Sequence, residues 1–158
     1  MNPMDSLAPL KSLLAQTERE RDTVRAESLR ADAAHQAALR QSEQLVGYRR
    51  DYEQRWGEQF GRVATMDVMH CYQGFMVRLS QAVEQQQRVV ELAAARAERE
   101  RARLAEQELR VLSVRRLIER RSAEIRRGLE VREQKQTDEL AARRAWQLAA
   151  GGAPRLHA

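Results

Sequence analysis

Two rows of apolar side chains, each repeating every seventh residue, constrain the fold of this chain more than any other feature. The longer row contains Met69, Met76, Val83, Val90, Ala97, Leu104, Val111, Ile118 and Ile125. The shorter row contains Leu10, Thr17, Val24, Ala31, Ala38, Leu45 and Tyr52. A strict seven-residue repeat is typical of α-helices that wind around each other in a left-handed supercoil. The sequence therefore predicts two long helices that form a coiled coil.

Helix-breaking and helix-capping residues predict where these helices begin and end. Ser6 is a candidate N-cap of the first helix, because serine is a preferred residue at that position. Pro9 would then lie in the first helical turn, where proline is tolerated. The next breakers are Gly57 and Gly61, after which Thr65 can cap a second helix. We predict a single coiled-coil domain over 1–158, with helices over about 6–56 and 66–149, a hinge at about 57–65 and a flexible tail at 150–158.

The composition agrees with long helices and argues against a large compact core. Charged residues make up 32% of the chain and aromatic residues 4%, and there are only seven glycines and three prolines. This bias towards helix formers is typical of coiled coils, and the apolar periodicity argues against disorder. Residues 101–158 contain 14 Lys and Arg against 8 Asp and Glu, whereas residues 1–100 contain 14 against 15. The basic half could contact an acidic protein, nucleic acid or anionic lipid, or be a solvated helix surface.

Antiparallel pairing of the two helices about a hinge near residue 60 aligns their apolar rows. This register places Tyr52 opposite Met69 and Leu45 opposite Met76. The second helix is longer, about 84 residues against about 50, so it extends past the first. We therefore predict an all-α fold, a long antiparallel two-helix coiled coil with the C-terminal helix longer. Beyond residue 112 or so, the second helix is expected to lack a partner within the chain, so that this end either frays in isolation or is covered by another protein.

Most of the aromatic side chains are expected to gather beside the hinge. Tyr48 and Tyr52 lie one turn apart on one helical face. The antiparallel register brings them near Tyr72, Phe75 and Leu79. The cluster is either a packed end of the coiled coil or an exposed docking patch.

The sequence offers no catalytic or metal-binding arrangement. His70 and Cys71 are adjacent, so on a helix they point about 100° apart and suit one metal ion poorly. Glu133 and Asp138 read as surface charges, because acid–base catalysis needs a cleft. We predict no enzymatic activity, no cofactor and no metal. The segment RRLIERRSAEIRR, residues 115–127, lacks interleaved aromatic residues and is interrupted by glutamates, so we predict no nucleic-acid partner.

The chain has no features of a secreted or membrane-spanning protein. Its single cysteine, Cys71, excludes an internal disulfide and fits a reducing compartment. We find neither a signal peptide nor a run of about 18 apolar residues that could span a bilayer. We expect a cytoplasmic protein that does not insert into the membrane and reaches its surface only through partners.

Three motifs in this order, LVGYRRDY, CYQGFMVRLSQAVEQQ and REQKQTDELAARR, resemble the flagellar FliJ protein family. The resemblance implies an antiparallel coiled coil similar to the central stalk of rotary ATPases. It implies a cytoplasmic component of the flagellar type III export apparatus, peripheral on the inner membrane, with roles in flagellum biogenesis, protein transport and chemotaxis. The implied partners are the hexameric export ATPase, the membrane export-gate protein and export chaperones. The resemblance also implies that the protein acts as a general chaperone or escort of the export apparatus.

The resemblance also implies two sets of binding residues. The residues for the export gate lie on both helices near the hinge: Gln41, Leu45, Tyr48, Tyr52, Phe75, Leu79, Ala82 and Gln86. Of these, Gln86 stands where the family pattern has a more basic residue. The expected contacts of the ATPase ring lie near the end of the second helix: Arg132, Glu133, Gln134, Lys135, Asp138, Glu139 and Arg143. That helix end could also be merely solvated.

Two related functions stay open at this stage. The first is the equivalent stalk of a virulence type III injectisome. The second is a plain coiled-coil scaffold without an ATPase partner. Stimulation of the export ATPase would separate a stalk from a scaffold.

Overall fold

The protein is built from two long α-helices that pack against each other, as predicted from the seven-residue repeats. The computed structural model describes residues 2–60 and 65–152. A short 3-10 helix, Pro3–Leu7, leads into α1, Ala8–Phe60, and α2 spans Met66–Gly151. With 86 residues against 53, α2 is the longer helix, and neither described range contains a strand. The predicted all-α fold is confirmed.

Side-chain caps begin both helical segments, although one cap differs from the prediction. The Oδ1 atom of Asn2 accepts a hydrogen bond from the Met4 amide at 3.1 Å and caps the 3-10 helix. Ser6, the predicted cap, instead donates its hydroxyl to the carbonyl oxygen three residues earlier at 2.7 Å, because the chain is already helical there. Thr65 caps α2 as predicted, since its hydroxyl accepts the amide of Val68 at 3.4 Å.

The first helix does not end at Gly57, which was predicted to break it. It continues to Phe60, and a Cβ atom added at Gly57 would meet no atom within 4 Å. A single glycine costs a helix about 1 kcal/mol relative to alanine, which is too little to end a long one. Gly61, the other predicted breaker, lies outside the described residues.

The chain divides into two compact units. The hinge unit comprises Glu18–Leu109, and the terminal unit comprises Met1–Thr17 together with Arg110–Ala158. Among the described residues, the apolar ones buried in the hinge unit are Val24, Ala31, Ala38, Val90 and Ala97, all from the two rows. The residues buried in the terminal unit, within the same described ranges, are Leu7, Thr17 and Val111.

The helices of the hinge unit are antiparallel, but their register differs from the predicted one. Tyr52 contacts Phe75, one of the rings expected near it, but Phe75 lies six positions beyond Met69, the residue expected directly opposite. The two helix termini that face the hinge, Phe60 and Met66, are centred on residue 63, whereas the predicted hinge was centred near residue 60. This difference in hinge position accounts for the different register. Moving a turn by three residues moves the pairing by six, so the predicted register is wrong by about one heptad.

Ion pairs join the antiparallel helices of the hinge unit along their exposed flanks. Among them are Arg101 with Asp32 at 2.6 Å, Arg103 with Glu27 at 2.6 Å, and Arg25 with Glu108 at 3.6 Å. The hydrogen bond that Arg103 donates to the Glu27 carboxylate raises the pKa of its guanidinium above the ordinary value. Exposed pairs of this kind stabilise little, and their main effect is to favour one register over its neighbours.

In the terminal unit, α2 is covered over a longer stretch than predicted. Side chains beyond residue 112 remain half-buried as far as Leu129, among them Ile118 and Ile125. The expectation that α2 lacks a partner beyond about residue 112 is therefore wrong for residues 113–129, because the actual register and the early helical start extend the paired region, but it agrees with the exposure of residues 130–152. Every residue from 130 to 152 is exposed, and we call this stretch the terminal segment.

Candidate docking surfaces

The eight residues expected to contact the export gate lie in the hinge unit, and we call this set the hinge patch. Its centre is a pair of rings, Tyr52 and Phe75, whose centroids are 5.0 Å apart at an interplanar angle of 64°. This edge-to-face arrangement is one that aromatic pairs prefer. Both rings are exposed, and Tyr48 is 56% exposed one turn away. The rings are therefore displayed at the surface although they also contact each other.

A second ring pair adjoins the patch, and the sequence analysis named only one of its members, Tyr72. Trp56 and Tyr72 lie with their centroids 5.0 Å apart at 35°. Trp56 falls outside the motif used for the resemblance, but its spacing of four residues from Tyr52 could have revealed it. Together the two pairs line an open cleft of about 270 Å³, whose walls are Tyr52, Trp56, Cys71, Tyr72 and Phe75.

The remaining members of the hinge patch differ in how far they are exposed. Gln41 is exposed, whereas Leu45, Leu79 and Ala82 are half-buried between the helices. Gln86 is only 9% exposed, and its amide nitrogen donates a hydrogen bond to the carbonyl oxygen of Ala38 at 3.0 Å. The side chain of Gln86 therefore holds α2 against α1 and is not displayed to a partner.

The seven residues expected to contact the ATPase ring all lie in the terminal segment and are all exposed. They do not share one face of the helix. By their spacing, one face carries Arg132, Lys135, Glu139 and Arg143, and we call these four the mixed-charge face. Gln134 and Asp138 point to another side, where the Gln134 amide donates to the Asp138 carboxylate at 3.2 Å. Glu133 lies apart from both, and its carbonyl oxygen accepts the hydroxyl of Thr137 at 2.9 Å.

The terminal segment also exposes apolar side chains that the sequence analysis did not single out. Leu140, Trp146 and Leu148 are all exposed. A shallow groove of about 670 Å³ runs along one side of the helix, lined by Thr137, Leu140, Ala141, Arg144, Ala145 and Leu148. This groove lies on a different side of the helix from the mixed-charge face, whereas Trp146 is in line with Lys135 and Glu139 by its spacing.

Neither surface offers a site for a metal ion. Within residues 2–60 and 65–152, no three His, Cys, Asp or Glu side chains come together in a way that could hold one. In the same part of the chain, no helix is long and apolar enough to cross a membrane. Cys71 is an exposed free thiol at the edge of the aromatic cleft.

The fold and the two surfaces place the chain among coiled-coil proteins built from two long packed helices. Comparison with known families is more specific, because the family model described as "Flagellar FliJ protein" matches residues 6–149. The chain therefore belongs to the FliJ family, whose members are non-catalytic components of the flagellar export apparatus. The resemblance found in the sequence motifs is confirmed. No curated protein and no solved structure matches the chain.

Proposed function

We propose that this protein is a cytoplasmic stalk component and general chaperone or escort of the flagellar type III export apparatus. In this proposal it binds the export ATPase hexamer and the membrane export-gate protein, and it is peripheral on the inner membrane through them. The observation that carries the proposal is the display of Tyr48, Tyr52 and Phe75 on the surface of a FliJ-family chain.

The hinge patch has the properties of a protein-docking surface. Large aromatic side chains contribute much of the binding energy at protein interfaces when a partner removes them from water. The contact between Tyr52 and Phe75 restrains both rings before binding, which lowers the entropy lost on association. We assign the export gate to this patch, with Leu45, Leu79 and Ala82 as the apolar floor between the rings.

A matched pair of double variants tests this assignment. We expect Tyr48→Ala with Phe75→Ala to weaken binding to the cytoplasmic domain of the export-gate protein by at least about tenfold. The control, Leu29→Ala with Leu92→Ala, also removes two exposed apolar side chains from the hinge unit. Its affinity for the gate should be unchanged in isothermal titration calorimetry.

Circular dichroism of both double variants separates docking from folding. If the ring variant keeps its helicity and its gate affinity, the patch is not the gate site. If the ring variant loses its helicity while the control does not, the rings are the packed end of the coiled coil.

The mixed-charge face is our candidate contact for the ATPase ring. It presents three cationic side chains and one carboxylate, all exposed and within three turns of one helix. Exposed ion pairs contribute only about 0.2–1 kcal/mol each, so a ring subunit would hold this face weakly. Weak contacts of mixed sign suit a stalk that must engage several similar subunits of one hexamer.

The test of the ring contact uses charge-neutral double variants. Lys135→Ala with Glu139→Ala removes one charge of each sign, and we expect it to reduce the stimulation of ATPase hexamer formation and ATP hydrolysis. Arg88→Ala with Glu91→Ala removes the same charges from exposed positions of the hinge unit and should preserve stimulation. If the unaltered protein does not stimulate the ATPase, a plain coiled-coil scaffold replaces the stalk.

The family match favours a flagellar system over a virulence injectisome. Parallel assays with a flagellar export ATPase and an injectisome ATPase test this preference directly. We expect stimulation of the flagellar enzyme alone, and deletion of the gene should abolish swimming and therefore chemotaxis. Stimulation of the injectisome enzyme alone would transfer the proposal to that system.

A further inference from the structure

The arginine-rich segment of α2, residues 115–127, is not used by either proposed surface. It contains six arginines and two glutamates, and all six arginines are exposed. The terminal unit as a whole has 13 Lys and Arg against 7 Asp and Glu, whereas the hinge unit has 15 against 16. The positive charge of the chain is therefore concentrated in the unit that contains this segment.

The α1 side of the terminal unit offers few carboxylates to the arginines of this segment. In the hinge unit, arginines of α2 pair with carboxylates of α1, as Arg101 does with Asp32 at 2.6 Å. The α1 side of the terminal unit, residues 1–17, contains a single carboxylate, Asp5, and also a lysine, Lys11. Carboxylates are therefore scarce on the α1 side of this unit, which leaves Arg116, Arg120 and Arg127 exposed and available to the carboxylates of a separate molecule.

Three of these arginines form a row on one face of the helix. Arg116, Arg120 and Arg127 are spaced by four and seven residues, which places them within about 40° of one another. Along the helix axis the two intervals are about 6 Å and about 10 Å. We call these three residues the arginine stripe. Glu119 and Glu124 lie on its two sides by the same geometry.

The geometry points to the arginine stripe as a docking site for an acidic α-helix of a partner protein. A helix with carboxylates at the same intervals, four and seven residues, would match the stripe because both helices rise equally per residue. Guanidinium groups bind carboxylates through two parallel hydrogen bonds, which gives this match geometric specificity. This site is separate from the hinge patch and from the mixed-charge face, and it does not depend on the function proposed for them.

The glutamates beside the stripe favour a narrow acidic row over an extended anionic surface. Glu119 and Glu124 would repel the phosphates of a nucleic acid or a lipid bilayer, but they can pair with basic residues that flank an acidic row. Between Arg116 and Arg127 the stripe has only Ala123 as an apolar neighbour on its face, and it has no ring for base stacking. An acidic protein helix is therefore the occupant that fits best.

The experiment uses a designed helical peptide as its probe. It is a 20-residue Ala/Gln peptide with glutamates at positions 5, 9 and 16, and its control has the same composition with the glutamates distributed around the helix. Binding of fluorescently labelled peptides to the full chain is followed by anisotropy at low salt, where exposed charges are least screened. We expect the matched peptide to bind more tightly than the control peptide.

Two triple variants of equal charge locate the binding site. Arg116→Gln with Arg120→Gln and Arg127→Gln should weaken binding of the matched peptide by about tenfold or more. The control variant replaces three exposed arginines on other faces, Arg110, Arg121 and Arg126, by glutamine and should change affinity by less than about threefold. Equal losses in the two variants, or equal binding of the two peptides, would show attraction by net charge alone and overturn the proposal. Tighter binding to a 20-base-pair DNA duplex or to phosphatidylglycerol vesicles would overturn it as well.

Discussion

Replacing Val111 by alanine should destabilise the protein far more than the same replacement at Val131. Val111 is 2% exposed in the terminal unit, whereas Val131 is 60% exposed in the same helix. The two substitutions remove the same atoms and change helix propensity in the same way. The difference between their effects therefore isolates the packing of Val111.

The expected magnitude follows from the burial of Val111. Removing two buried carbon groups costs about 1.6 kcal/mol in transfer free energy. A residual cavity of about 40 Å³ adds about 1 kcal/mol. Alanine is a better helix former than valine, so the replacement favours the helical conformation by about 0.5 kcal/mol at either position. Val111→Ala should thus lower the free energy of unfolding by about 2 kcal/mol, and Val131→Ala, in a segment without tertiary support, should leave it unchanged within about 0.5 kcal/mol.

Urea unfolding followed by the circular-dichroism signal at 222 nm measures both free energies on the same protein background. Val111→Ala should also lower the midpoint of thermal unfolding by about 4–8 °C. If the two variants differ by less than about 0.5 kcal/mol, then Val111 is not packed at an interface. That result would refute the pairing of helices in the terminal unit.

Three further predictions concern other parts of the chain. Gly57→Ala should raise the free energy of unfolding by about 0.5–1 kcal/mol, because an added Cβ meets no atom within 4 Å, and a decrease would contradict the helical conformation there. Gln86→Ala should lower it by about 1–2 kcal/mol, because the hydrogen bond to Ala38 is lost, and an unchanged value in urea unfolding would argue against that bond. In a Trp56→Phe variant, the fluorescence of Trp146 should be that of an exposed indole, since this side chain is 76% exposed, and it should shift to shorter wavelength when the export ATPase binds. An unshifted spectrum at saturating ATPase would contradict contact at the terminal segment.

The apolar rows predicted the helices and the buried residues well, because they depend on local periodicity. Val24, Ala31 and Ala38 are buried, as are Val90 and Ala97. The register was not predictable in the same way. A shift by seven residues superimposes such a row on itself, so the pattern allows several registers of similar quality. The position of the hinge selects among these registers. The hinge was predicted too early in the chain, because Gly57 was expected to end the first helix.

The two surfaces were predictable to different degrees. Spacing alone brought Tyr48 and Tyr52 together beside the hinge, because residues four apart share a helical face. The burial of Gln86 could not be read from the sequence, since glutamine is usually a surface residue and its bond to Ala38 depends on the register. In the terminal segment, the predicted ATPase-ring residues came from the resemblance and not from a shared helical face. Gln134 was therefore grouped with residues that lie on another face of the helix.

Exposure of the whole terminal segment has a consequence for how the protein leaves a partner. The 23 residues of this segment receive no tertiary support, so their helix is held by local interactions alone and frays readily from its end. Any partner that grips it must first suppress its fraying, and this ordering cost is subtracted from the free energy of the contacts. Complexes formed through this end should consequently be short-lived, with amide hydrogens that exchange rapidly in the unbound chain and slowly in the bound one.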